Sequence, residues 1–177
     1  AALLGSAAAQ NLVMAASAQP DTLDPQVTSA TSAFQATKSL YDTLVEVARD
    51  GTLVPSLASS WTASEDALAW TFDLVEARFH DGTTFDAADV VASLDRIRAD
   101  ETASPKAEEF AAITEVEALD DRTVRIHLER PAPALLATLA SGWGAILPSE
   151  KIAEGHDFGT EPVGTGPFAL EAWVRDS

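Results

Sequence analysis

No cysteine occurs among the 177 residues. Thiolate catalysis, cysteine-ligated metals and disulfides are thereby excluded, and the redox compartment is left open. Basic residues are scarce as well, 11 against 28 acidic ones, for a formal net charge of −17. A chain this acidic repels phosphate backbones and anionic lipid surfaces, which argues against nucleic acid and peripheral membrane partners. Most of the acid reads as a solvated surface. No apolar run approaches the roughly 20 residues of a membrane span. What is present, 46% hydrophobic residues, suffices for one or two packed units.

The densest run of signals lies between Trp61 and Ile97. Trp70, Phe72 and Leu74 alternate with Thr71 and Asp73, the period of a strand with one buried face. His80-Asp81-Gly82 reads as a turn. Asp86 is a good N-cap for a helix that sets Val90, Leu94 and Ile97 on one face, with Asp89 in the first turn and Phe85 able to staple onto Val90.

Elsewhere the pattern predicts a buried strand at Leu12 to Ala16, then a break at Pro20 to Pro25. A helix follows, capped by Ser32 with Gln35 completing a capping box, and Phe34, Tyr41 and Leu44 share its inner face. Asp50-Gly51 makes a hairpin-type turn, and Pro55 to Ser60 reads as a short helical piece. Lys106 to Ala112 is another short helix. Ile113 to Leu128 is a hairpin turning at Asp120-Asp121, with Val124, Ile126 and Leu128 inward. Ala134 to Ala140 is a short helix, Trp143 to Leu147 a strand, and Phe168, Leu170 and Trp173 alternate along a last strand. Ala1 to Ala9 resembles the tail of a secretory signal ending in small residues. With no Cys near that point, the expected product is soluble in a periplasm rather than lipid-anchored.

Catalytic chemistry finds no foothold. His80 and Asp81 are adjacent and diverge, while His127 and His156 stand at no metal-ligand spacing. Gly164-Thr165-Gly166-Pro167 lacks the Lys-Ser/Thr of a phosphate loop and precedes a strand where that motif needs a helix. No nucleophile elbow occurs, and no pair of carboxylates stands out as acid and base. Neither catalytic nor metal residues are assigned, and no cofactor is expected. The better ligand contacts are the polar turn before the first helix, Thr28, Ser29, Thr31 and Ser32, together with Trp143 between two glycines.

These features occur in a telling order. Thr22-Leu23-Asp24-Pro25 comes first, then Tyr41-Asp42-Thr43-Leu44-Val45, and Leu53-Val54-Pro55 through Ser60-Trp61. Trp70-Thr71-Phe72 and the run from Phe79 to Val90 follow, and Asp120 to Ile126 and Pro162 to Phe168 close the series. Together they resemble extracellular solute-binding protein family 5, the dipeptide, oligopeptide and nickel binding proteins of ABC importers. Two departures stand out: Asp66-Ala67 replaces the family's Asp-Gly, which predicts a wider or strained turn, and Leu74-Val75-Glu76-Ala77 replaces its Leu-Arg and Gly-Val step.

The resemblance implies an α/β fold of the periplasmic binding protein type II kind, two lobes around a cleft with an extra subdomain, of which this chain is an N-terminal fragment. Residues 1–9 would be a signal remnant, 10–45 the start of lobe I, 46–160 the inserted subdomain and 161–177 the return to lobe I, with lobe II absent. The implied function is capture of a peptide or related small solute by hinge closure and delivery to a membrane permease, by a monomer. A sensor or chaperone on the same fold is the alternative, and a cleft hydrolase a more distant one.

Overall fold

The computed structural model describes residues 18–174, so the signal-like residues 1–9 and the strand expected at Leu12 to Ala16 lie outside the described part. Its centre is an antiparallel sheet built from β3 (Ala58–Ala63), β4 (Ala69–Leu74), β5 (Ile113–Asp120) and β6 (Thr123–Leu128), in the spatial order β3-β4-β6-β5. Register follows the pleat: Trp61 faces Phe72, Phe72 faces Val124, and Trp70 faces Ile126, so one face is apolar throughout. The opposite face carries Thr71, Arg125 and Glu117 in one cross-strand row.

Helix α2 (Ala87–Arg98) packs on β5 and β6 and closes that apolar face. Val90, Leu94 and Ile97 are fully buried, as their spacing predicts. Each such side chain contributes about 1.5–3 kcal/mol on leaving water. The helix start is fixed by a reciprocal pair: the Ala88 N–H donates to Asp86 at 2.8 Å, and the Asp86 N–H donates to Asp89 at 2.8 Å. Asp89 also accepts from the Ser149 N–H at 2.7 Å, which ties α2 to α4 (Ser149–Ala153). Burial pushes the Asp89 carboxyl above its ordinary range, against the lowering effect of those two N–H donors.

A second face of α2 is polar, with Asp89 and Ser93 buried and Arg96 partly covered. Arg96 pairs with Asp24 at 2.5 and 3.2 Å and donates to Gln26 Oε1 at 2.8 Å. Gln26 donates in turn to the Ser93 carbonyl at 3.0 Å, and Ser93 Oγ accepts from the Leu147 N–H at 2.9 Å. Ser93 and Arg96 thus form a seam that holds the residue 24–28 turn against the sheet-and-helix unit, while Asp89 on the same face holds Ser149.

The turn at His80-Asp81-Gly82 forms as expected, with Gly82 at φ +89° and Asp81 accepting from the Thr83 N–H and hydroxyl. His80 is structural in a specific way. Its Nε2 lies 2.9 Å from the Gly166 carbonyl, and its Nδ1 accepts from the Gly164 N–H at 3.3 Å. Its backbone N–H donates to the Gly164 carbonyl at 2.9 Å. Two motifs far apart in the chain therefore bond to each other. The turn at Asp66-Ala67 carries the strain its sequence predicts, because Ala67 sits at φ +56° where glycine would be at ease. Asp50-Gly51 likewise closes a hairpin between β1 (Val45–Val47) and β2 (Leu53–Pro55), with Gly51 at φ +86°.

Several expectations need correction. Pro55 to Ser60 is extended rather than helical: the Leu57 and Ala58 N–H groups bond to Thr43 and Leu44, and Ala58 opens β3. Small residues such as Ala and Ser accept either state, and here sheet pairing decides. Helix α1 spans only Thr31–Thr37, so Tyr41 and Leu44 lie beyond it, both buried. Its N-cap is Ala30, not Ser32, because the Thr28 hydroxyl takes the Ala30 N–H and turns the chain earlier. Trp143 to Leu147 makes a single bridge, Ala145 to Thr43, instead of a strand. Phe168 to Trp173 forms no strand among the described residues; the Gly166 and Phe168 N–H groups bond to Leu40 and Ser39, and the ladder stops there. Lys106 to Ala112 contains one 3-10 turn, Ala107–Phe110. The β5–β6 hairpin turns at Asp121-Arg122, one residue later than its sequence suggests.

Candidate functional site

Trp143 lies in a 3-10 turn, Gly142–Gly144, that follows the short helix α3 (Leu135–Leu139). The flanking glycines are there for closeness and not for positive φ. A Cβ at Gly142 would meet the Phe34 ring at 2.5 Å, and one at Gly144 would lie 2.4 Å from the Leu139 carbonyl oxygen. The indole is thereby pressed onto α1, its ring 4.6 Å from that of Phe34 at an interplanar angle of 71°. Its Nε1–H donates to the Thr28 carbonyl at 2.9 Å. The Lys106 ammonium stands 5.0 Å from its ring centroid.

Five residues were singled out from sequence, and the fold treats them differently. Thr28 and Trp143 are brought into direct contact across a long loop of chain. The Thr28 side chain faces inward: it is fully buried, donating to Asp21 Oδ1 at 2.8 Å and accepting from the Ala30 N–H at 3.0 Å. Its contribution is therefore the carbonyl that anchors Trp143. Ser29 and Thr31 are exposed beside it. Ser32 is partly covered within α1, and its hydroxyl donates to the Gln19 carbonyl at 3.3 Å.

Beside this wall runs an open groove of about 240 Å³. Phe34 and Trp143 line it together with Tyr41, Asp42 and Glu46. Burial pushes the Tyr41 phenol well above its usual range, with the nearby Asp24 charge adding to the effect, so it stays protonated. Asp42 accepts from the Thr165 hydroxyl at 3.0 Å. Phe34 and Lys106 had no local signal for this role. Phe34 reads as an ordinary core position of a helix face, and Lys106 as the first residue of a short helix.

The histidines are committed to local structure. His80 is bonded as described, His127 lies 3.3 Å from Glu117 on the open sheet face, and His156 lies 2.7 Å from the Glu161 carbonyl. Among the described residues no group of three or more His, Asp or Glu converges as a metal site.

Comparison with known proteins gives a consistent picture. Residues 52–177 match the model for bacterial extracellular solute-binding proteins, family 5. The glutathione-binding protein GsiB of Escherichia coli K12 is 35% identical over 168 residues, covering 94% of this chain and 33% of that protein. Among solved structures, AgaA in complex with agropinic acid, from A.tumefacien R10, superposes with a TM-score of 0.85 at 37% identity, covering 89% of this chain and 32% of that one. The periplasmic binding protein DppA of Helicobacter pylori, in complex with the peptide STSA, gives 0.80 at 31% identity, covering 90% of this chain and 36% of that one. The fold is that of part of a periplasmic binding protein, and the chain spans about a third of the length of the curated relatives it matches.

Proposed function

Because this chain belongs to the bacterial extracellular solute-binding proteins of family 5, we propose that it forms part of the substrate-binding component of an ABC importer. The protein captures a peptide or related small solute in the periplasm and hands it to a membrane permease. Residues 10–45 and 161–177 belong to the first lobe in this reading, and residues 46–160 are a subdomain inserted into it. A second lobe, outside the chain, closes over the solute from the other side. Contact with both lobes exists only in the shut form, so binding shifts the open–closed equilibrium toward closure.

One observation carries the reading within this chain. Trp143 is fixed on three sides, by Thr28, Phe34 and its own tight turn, where it lines an open groove, and the exposed Ser29 and Thr31 follow Thr28 in the chain. A rigid aromatic beside small hydroxyls is the kind of surface that buries an apolar part of a solute and orients its polar part. Thr28 and Ser32 support that wall from behind.

The test is a thermal-shift screen of the full-length protein against glutathione, agropinic acid, the peptide Ser-Thr-Ser-Ala and a nickel–histidine chelate. At least one is expected to raise the melting temperature by several degrees, since a ligand at about 100 times its Kd adds about 2.7 kcal/mol. A folded protein that responds to none of them would remove the transport reading.

A further inference from the structure

We propose that Lys106 is a specificity-determining residue of this wall and that the solute it selects carries a carboxylate. The inference rests on the solute-binding reading above and adds the chemistry of the ligand to it. Its basis is position. The Trp143 ring cannot drift, because its Nε1–H is held by the Thr28 carbonyl and its edge by Phe34. The Lys106 ammonium, 5.0 Å from the centroid of that ring, therefore stands against a fixed aromatic that lines the groove.

The ammonium is not used up by its other partner. Lys106 pairs with Glu109, three residues on, with side-chain exposures of 36% and 43%. A pair this open contributes little and is readily remodelled. A lysine ammonium has three donors, so a solute carboxylate can bind beside Glu109 or replace it. Other cations near the wall are placed differently. Arg96 is spent on Asp24 and Gln26, and Lys38, at the C-terminal end of α1, lines the same groove as Trp143.

Charge supplies the reason for such a residue. At a net charge of −17 the chain repels an anionic solute at long range, and a local cation on a half-covered aromatic is what makes a carboxylate welcome at one point. Aromatic face and ammonium together suit a solute with a flat or apolar body next to an acid group. Asp42 and Glu46 also line the groove and repel that acid group.

Calorimetric titration of the full-length protein decides the matter, using glutathione, agropinic acid and Ser-Thr-Ser-Ala, each beside its methyl ester or amide. Wild type, Lys106→Met and Lys106→Arg are compared. For any free acid that the wild type binds, Lys106→Met is expected to weaken binding by about tenfold or more, as loss of a charge-assisted hydrogen bond does. Lys106→Arg should retain most of the affinity, and the neutral analogue should bind wild type and Lys106→Met within about twofold of each other. Equal losses for acid and neutral analogue would make Lys106 a mere prop for Trp143 and overturn the proposal. So would a Lys106→Met protein that binds the acid as the wild type does, and either result leaves the solute-binding reading intact. A wild-type protein that binds no probe overturns that reading and the Lys106 proposal with it.

Discussion

Strands β3 and β4 with helix α2 satisfy their backbone inside regular elements, whereas the wall around Trp143 is assembled from a seven-residue helix, a 3-10 turn and an irregular loop. The first region is capped, bulge-tolerant and buried on one face. The second keeps its shape through single contacts between residues far apart in the chain: an indole N–H on a carbonyl, a ring on a ring, two glycines that allow close approach. Redundancy makes the first region stable and its sequence recognisable. Its absence in the second goes with surface groups such as Ser29 and Thr31 that stay exposed. The polar seam from Asp24 through Arg96 to Ser93 is where the two are joined.

The comparison can be broken in steps. Phe72→Ala empties a fully buried position at the centre of the sheet and should cost about 3–5 kcal/mol in urea unfolding. The remaining native protein should keep its solute affinity, and a matching loss of affinity would mean that the regions are not separable. Arg96→Met strips Asp24 of its partner in a largely covered site, with an expected loss of about 3 kcal/mol by thermal melting. Adding Asp24→Asn should recover part of that loss, because the stranded charge is gone; no recovery would point to packing against Phe158 instead.

Smaller effects sharpen the contrast. Trp143→Phe leaves the Thr28 carbonyl without its donor and should lower stability by about 1 kcal/mol, while the affinity for any solute found in the screen falls more steeply than stability does. A variant that binds normally would remove Trp143 from the wall. Ala67→Gly relieves a left-handed backbone and should raise stability by about 0.5–1 kcal/mol, with no change in binding. An unchanged or lower unfolding midpoint would show that the turn is not strained.

The same contrast explains what could be read from the chain. The β4 alternation, the Asp86 cap, the Val90, Leu94 and Ile97 face and the β5–β6 hairpin were all legible, because each is a local periodicity or a local hydrogen bond. Even the strain at Ala67 followed from one residue standing where glycine was expected. Pro55 to Ser60 was misread because Ala and Ser have weak preferences and their partner strand lies elsewhere in the chain. Ser32 was misread as a cap because Thr28 competes for the same turn, an outcome that depends on Asp21 holding the Thr28 hydroxyl.

Motif order along the chain carried the resemblance to the family and, through it, the α/β class, and composition excluded cysteine chemistry, since those depend on residue types and spacings along the chain. Tertiary structure alone decided that the Thr28 side chain turns inward while its carbonyl fixes Trp143. It also decided that His80 spans Gly164 and Gly166, and that Lys106 lies over an aromatic ring. Each of these is a contact between residues with no local relation, and only the packing of α1, α2 and the Gly142–Gly144 turn against one another brings them within reach.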